Sequence, residues 1–361
     1  MTALPEDYFD ALPQLGWKPH FAQQIDFELL DSERIRRVMA VQRAGLTLAP
    51  ALAVDAPVPL SGRWFQRDAE ERPTVGDWVV LDAQLAQIDL VLERRSLLKR
   101  GVAGRTSEVQ LIGANVDVLL IVTSCNQDFN LSRIERYLAL AYDSGAEPVV
   151  VLTKADLAED PEAFRSEVQA LRPELQVEVV NARDGASLEG VRALLTAGCT
   201  IALLGSSGVG KSTLLNSLAG DQLQLTAAIR EDDGKGRHTT THRSLHVLSG
   251  GGLVLDSPGI RELQLTSLDS GLEAAFDDIE ALAATCRFRD CEHGAEPGCA
   301  VQAAIAEGTL DERRLRSFEK LKREEQYARE TVAERHARVR GFGRMVKKAM
   351  DAKNSRGDAP E

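Results

Sequence analysis

The stretch Gly205-Ser206-Ser207-Gly208-Val209-Gly210-Lys211-Ser212-Thr213 fits the pattern G-x-x-x-x-G-K-[ST]. It stands between an apolar run, Thr200–Leu204, and a helix-like stretch, Lys211–Ala219. A strand before and a helix after is the setting this pattern needs to hold phosphate. Glycines let backbone N–H groups curl around phosphate oxygens, at a helix N-terminus that favours negative charge. Lys211 is then placed to neutralise β- and γ-phosphates, and the Ser212 hydroxyl to ligate Mg²⁺. A nucleoside triphosphate site is expected here.

Thr153-Lys154-Ala155-Asp156 ends another apolar run and resembles the [NT]-K-x-D guanine motif. A carboxylate at Asp156 can accept from both N1–H and the exocyclic amine of guanine, a donor pair that adenine lacks. A site built on such bonds discriminates strongly, because the wrong base leaves buried groups unpaired. Lys154 can lay its aliphatic stem along the base. Asn181-Ala182-Arg183 follows the next strand-like run, where a short Ser-Ala-x loop would reach guanine O6 through a backbone N–H. Asp256-Ser257-Pro258-Gly259 resembles D-x-x-G, with Asp256 holding Mg²⁺ through water and the Gly259 N–H meeting the γ-phosphate. Between the phosphate loop and this motif lies Gly236-Arg237-His238-Thr239-Thr240-Thr241-His242. A switch threonine for Mg²⁺ is expected there. The sequence does not choose among Thr239, Thr240 and Thr241; Thr240, at the centre of the run, is the candidate Mg²⁺ ligand.

Ile260 occupies the place where many GTPases carry a water-orienting Gln, and it cannot hydrogen-bond. Slow turnover is therefore expected until a partner completes the site. His238 is the candidate catalytic residue that positions water, with His242 and Arg237 as alternatives.

Motif order is unusual. The guanine motif and the Asn181 loop precede the phosphate loop, whereas ordinary GTPases place them after it. A sheet can be cut at one connection and rejoined at another without changing strand neighbours. The sequence thus looks like a circularly permuted GTPase, with the following module attached just after Gly259.

Cys286-x4-Cys291-x-His293-x5-Cys299 supplies three thiolates and an imidazole, the complement of a closed tetrahedral structural zinc site. The other two of the five cysteines, Cys125 and Cys199, sit beside apolar runs and read as inert core thiols.

Taken together, these motifs resemble the ribosome small-subunit-dependent GTPase A family. Gly236 to Arg243, the Gly250-Gly251-Gly252 turn before Asp256, Gln110-x4-Asn115-x-Asp117, and Cys286-Arg287-Phe288-Arg289-Asp290-Cys291 carry that resemblance. It implies an N-terminal OB-fold β-barrel, a central permuted P-loop GTPase and a C-terminal zinc-binding helical domain. It further implies a late role in maturation of the small ribosomal subunit, rRNA binding, and GTP hydrolysis stimulated by the subunit. Ser257 where Thr is common and Asn181 where Ser is common are departures. A GTP-gated RNA-binding scaffold and an ATP-using enzyme are the competing readings; Lys154 and Asp156 speak against the second.

The elements that must carry these residues follow from periodicity. An extension over 1–33 precedes short strand-like runs at Ile35–Gln42, Gly45–Ala49, Arg63–Gln66, Asp77–Leu81 and Ile88–Leu92, a barrel signature over 34–108. Over 109–272, apolar runs at Asp117–Thr123, Val149–Thr153, Val177–Val180, Thr200–Leu204 and Leu253–Asp256 alternate with helical stretches, as in a parallel α/β sheet. Residues 273–361 hold the cysteines, charged helical sequence and a basic tail.

The chain has 361 residues and a net charge of −12, which argues against a protein that coats nucleic acid all over. Charge position matters more: Asp311 to Arg356 carries 15 Lys/Arg against 8 Asp/Glu. With Trp64, Phe65 and nearby arginines offered as a stacking surface, and Trp78 in its alternating strand read as core, RNA contact by the barrel and tail is expected. The acidic start lacks a secretory pattern, and no apolar run approaches the ~20 residues of a membrane span. A cytoplasmic, membrane-free monomer is expected.

Overall fold

The computed structural model describes residues 7–42, 44–50, 57–101, 109–219, 243–248, 250–257, 269–294 and 296–329. Its strands are β1 (Ile35–Gln42), β2 (Gly45–Ala49), β3 (Trp78–Leu81), β4 (Ile88–Val91), β5 (Leu97–Gly101) and β6 (Val109–Ala114). They continue as β7 (Val118–Ser124), β8 (Glu147–Thr153), β9 (Gln176–Val179), β10 (Thr200–Leu204), β11 (Arg243–Val247) and β12 (Leu253–Asp256). Ten of these form one sheet in the order β4-β3-β1-β11-β12-β10-β7-β8-β9, with β2 on β1; β5 and β6 form a separate hairpin.

β12, β10, β7, β8 and β9 run parallel. β7 and β10 are buried along their whole length, because helices cover both faces of the sheet. The strand feeding the phosphate loop, β10, lies between β12, which follows it in the chain, and β7, which precedes it. Helix Leu131–Ser144 starts at an Asn130 cap whose side chain accepts from the Arg133 N–H at 2.9 Å. It stops at Gly145, where φ of +79° gives the left-handed turn that ends helices.

The N-terminal strands pair antiparallel, with β1 between β2 and β3, in the arrangement expected of an OB-fold. Their inner side chains, including Val38, Leu46, Trp64, Val79 and Ile88, form a core of their own. β1 also pairs with β11 at Ala40–Ser244, so this antiparallel layer continues into the parallel sheet. Arg37 of β1 rivets the junction. Its buried guanidinium donates to the carbonyls of Leu15, Gly76 (3.3 Å) and Asn115 (3.2 Å) and to the Thr200 hydroxyl (2.9 Å). Burial pulls its pKa down to about 10.

Arg63–Gln66 is not a strand. Gly62–Phe65 is a single helical turn, because one side chain, Trp64, points inward. The Trp64 indole donates to the Ile88 carbonyl at 3.4 Å, and the guanidinium groups of Arg63 and Arg67 lie 5.4 and 4.9 Å from its ring centre. Trp78 is core, as its strand pattern predicts; Trp64 is buried too and cannot stack on RNA bases, whereas Phe65, 60% exposed, can. Strands β5, β6 and β11 were not expected from the sequence. Each is short and partly exposed, with charged or small residues that blur alternation.

The leading residues are not a loose appendage. Tyr8, Leu12, Leu15 and Phe21 enter the main core, the Tyr8 hydroxyl donates to the Ile35 carbonyl at 2.8 Å, and Trp17 meets Trp78 edge-on at 4.8 Å. Past residue 269 the described elements are helices: Asp269–Ala275, Asp277–Ala283, Ala300–Ala306 and Glu312–Arg329. The first and last of them dock on Leu131–Ser144, where buried Glu135 accepts from Arg313 (2.9 Å) and Arg314 (3.1 Å). Arg314 also forms a two-pronged pair with Asp278 at 2.7 Å per contact.

Candidate nucleotide site and metal cluster

The phosphate loop leaves β10 with Gly205 at φ +155°, and its Cα hydrogen faces the Val122 carbonyl, where a Cβ would come within 2.2 Å. Gly208 and Gly210 take φ of +78° and +96°, backbone states that side chains disfavour. The loop thereby turns tightly enough to feed helix Lys211–Ala219. The Lys211 ammonium donates to the carbonyls of Gly205 (2.6 Å) and Ser206 (2.5 Å), which hold it over the loop. Ser207 and Gly208 are exposed at the rim, Val209 is buried beneath it, and Ser212 is half-buried at the start of the helix.

Thr153 ends β8 under this loop. Its buried hydroxyl lies 2.5 Å from the Val209 carbonyl and 3.0 Å from that of Thr123. Lys154 follows in the left-handed conformation, φ 58°, which turns the chain so that Ala155–Leu157 forms a 3-10 turn with Asp156 exposed at the cleft. The Asn181 loop is fixed from within: Oδ1 accepts from the Arg183 N–H at 3.0 Å and the Asn181 N–H donates to the Ser187 hydroxyl at 3.1 Å. Asn181 thus caps its own turn. Ser217, on the helix after the phosphate loop, donates to the Ala182 carbonyl at 2.6 Å.

Lys154, Asp156, Asn181, Ala182, Gly210 and Thr213 line a single cleft. Residues from three separate segments of the chain meet because β8, β9 and β10 present the same ends of their strands on one edge, the place where open α/β sheets bind ligands. Such a cleft can hold a base between Lys154 and Asp156 while phosphates occupy the loop. Asp256 closes β12 on the neighbouring strand and pairs in register with Ser244; Ser257 beside it is buried.

The second cluster lies among the C-terminal helices. The ligand atoms of Cys286, Cys291, His293 and Cys299 all fall within 4.8 Å of one another. Cys286 and Cys299 sulfurs are 3.9 Å apart, and His293 Nδ1 is 3.7 and 3.6 Å from them. A tetrahedral ion with metal–sulfur bonds of about 2.3 Å requires sulfur–sulfur edges of about 3.8 Å. These residues can therefore hold a metal ion. Backbone N–H groups of Ala300 and Gln302 each donate to a cluster sulfur at 3.4 Å, a second shell that suits thiolates. Cys125 and Cys199 are different: burial pushes both thiols up to about 11, so neither is a ready nucleophile.

A protein-family model described as RsgA GTPase matches residues 91–266. A protein of Vibrio parahaemolyticus named small ribosomal subunit biogenesis GTPase RsgA 2 is 48% identical over 347 residues, covering 96% of this chain and 94% of the relative. The chain belongs to the RsgA GTPase family. A Mesorhizobium japonicum protein named small ribosomal subunit biogenesis GTPase RsgA is 46% identical, with 88% of this chain and 90% of the relative covered. The crystal structure of YjeQ from Thermotoga maritima is similar with a TM-score of 0.59 at 26% identity, over 81% of this chain and 98% of that one. YloQ, described as a circularly permuted GTPase, shares the fold at a TM-score of 0.54 and 24% identity, over 82% of this chain and 96% of that one.

For this family member, permutation explains why the guanine-type motif and phosphate loop are adjacent in space yet reversed in the chain. His238, Thr239, Thr240, Thr241 and Gly259 lie outside the described residues, as does the basic tail beyond residue 329. Arg133 was not anticipated: its guanidinium donates to the Ser206 hydroxyl at 2.8 Å, tying helix Leu131–Ser144 to the phosphate loop. Asn115 and Asp117, seen in the sequence only as a motif, work at the module junction. Asn115 Nδ2 donates to the Gly76 carbonyl at 3.0 Å, and Asp117 accepts from the Thr200 N–H at 3.0 Å at the head of β10. No described helix is long and apolar enough to cross a membrane.

Proposed function

We propose that this chain hydrolyses GTP to GDP and phosphate as an assembly factor in maturation of the small ribosomal subunit, acts late, contacts rRNA and is stimulated by that subunit. The observation that carries this reading is the single cleft joining Lys154 and Asp156 to the phosphate loop. Asp156 reads guanine, Lys154 covers its face, and the Asn181–Ala182 loop meets O6. Gly205 to Thr213 cradles the phosphates, with Lys211 on the β/γ oxygens. Ser212, Asp256 and Thr240 would hold Mg²⁺, which would neutralise charge building on the phosphoryl oxygens. The Gly259 N–H meets the γ-phosphate, and His238 orients the attacking water.

Zinc is the metal assigned to the Cys286, Cys291, His293 and Cys299 cluster. Four protein ligands leave no open position, so its work is structural. The proposed modules are the extension 1–33, an OB-fold over 34–108, the permuted GTPase over 109–272 and the zinc domain over 273–361. The protein acts as a cytoplasmic monomer away from membranes.

Turnover of GTP and ATP, each with and without purified small subunits, tests the reading. GTP hydrolysis that rises with subunits, beside negligible ATP hydrolysis, is expected. Nucleotide-dependent subunit binding without stimulated turnover would instead favour a GTP-gated scaffold.

A further inference from the structure

A second cleft, of about 500 Å³, opens between helix Leu131–Ser144 and helix Glu312–Arg329. Five cations line it: Arg133 and Arg136 from one helix, Arg313, Arg316 and Lys320 from the other. Its remaining lining is Asn130, Ser132, Ser317 and Leu321, so no carboxylate faces the space. The acids that pair with these arginines stand back from it. Glu135 is fully buried beneath Arg313, while Glu324 holds Arg136 and Glu312 holds Arg316 from outside the lining. Asn130 and Ser132 bring in the N-terminal turn of a 14-residue helix, whose dipole adds to the positive potential. Three of the five cations are paired by these acids, so the positive excess that an anion entering the cleft would meet comes from Arg133 and Lys320, with the helix end beside them.

The geometry points to a phosphate-binding cleft that receives the backbone of an RNA strand and communicates with the phosphate loop through Arg133. Arg313, Arg316 and Lys320 recur at i, i+3 and i+7 along one helical face, a row of about 10 Å, longer than one phosphate group. In the sequence this helix is followed by Arg335 to Arg356, which carries eight Lys/Arg, a charge content suited to a polyanion rather than a small ion. Arg133 lines the cleft and also donates to Ser206 at 2.8 Å. A phosphate that draws this guanidinium into the cleft loosens its hold on Ser206. RNA docking is thereby transmitted to the loop that carries GTP. This inference rests on the proposed ribosomal role and names the residues that would couple contact to turnover.

The test uses the full-length protein with Arg316→Glu and Lys320→Glu combined, neither of which touches the nucleotide cleft. Small-subunit affinity is measured across a salt series, alongside GTP turnover with and without subunits. The expected result is a loss of affinity of about tenfold or more, with a shallower salt dependence by about one to two units of slope. Basal turnover should be retained and stimulation reduced. Binding and salt slope equal to wild type would overturn the cleft assignment. So would saturable pyrophosphate binding that the variant loses while subunit affinity stays unchanged, which would mark a small-anion site. If charge reversal prevents folding, the Arg316→Ala/Lys320→Ala pair serves with the same readouts and a smaller expected loss. Failure of the wild-type protein to bind subunits at all would refute the ribosomal role itself.

Discussion

The hydroxyl of Thr153 lies 2.5 Å from the carbonyl of Val209, joining the end of β8 to the floor of the phosphate loop. The segments proposed to read the base and the phosphates are thus tied by a hydrogen bond between residues far apart in the chain. Thr153→Val keeps the shape and removes the donor, leaving a buried carbonyl short of a partner at a cost of about 1–3 kcal/mol. GTP affinity should fall about tenfold, measured by fluorescent-nucleotide titration. Affinity equal to wild type would show that the two loops are positioned independently.

Asp156→Asn exchanges a two-fold acceptor for a group that both donates and accepts. Guanine then meets one donor against another, whereas xanthine offers an oxygen in place of the amine. Competition binding should show GTP weakened by at least about a hundredfold, with xanthosine triphosphate now preferred. Retained GTP preference would remove Asp156 from the base site.

Glu135 is fully buried and accepts from both Arg313 and Arg314, so it anchors the C-terminal helices to the sheet domain. Glu135→Ala removes the carboxylate that the two guanidinium groups share, while Arg314 retains Asp278 and Arg313 retains Asp311 at 3.4 Å, which places the loss toward the lower end for a broken buried pair. Breaking a buried pair in this way costs about 3–5 kcal/mol. Chemical denaturation should show a matching drop in midpoint. A shift below about 1 kcal/mol would mean the interface is held by apolar contacts alone.

Metal removal acts on the same module. Chelation, or Cys291→Ser, should release one metal ion per chain, read by atomic emission. Helical circular dichroism should fall, since Cys299 caps Ala300–Ala306 through its sulfur. Nucleotide binding should persist, because the cleft lined by Lys154 and Asp156 shares no residue with the cluster. Metal-free protein with unchanged melting would make the cluster dispensable.

His238→Ala should leave GTP affinity within about twofold and abolish subunit-stimulated hydrolysis, since Ile260 offers no group to orient water. Single-turnover measurements with saturating subunits decide this. Stimulated turnover at the wild-type rate would pass the role to His242 or Arg237.

Much of this protein was legible because its chemistry is local. A phosphate loop needs glycines at fixed offsets and a lysine beside them, and a closed metal site needs four ligands within reach of one point. Both patterns are written in a handful of adjacent residues. The strands of the parallel sheet were equally plain, since burial on both faces demands uninterrupted apolar runs such as Val118–Ser124. Trp64 reads as a platform because an aromatic beside arginines has the composition of a stacking surface, while its burial depends on packing against Ile88 of β4, remote in the chain.

Sequence by itself determined the motifs, their reversed order and the ligand set, because short-range geometry dictates those residue types. Tertiary structure alone decided where they meet. Thr153 reaches Val209, Arg37 reaches Thr200, and Glu135 reaches Arg313 and Arg314 through strand order and helix docking. No local pattern encodes such contacts: each depends on a side chain whose partner lies tens to well over a hundred residues away, brought close by burial of a shared core.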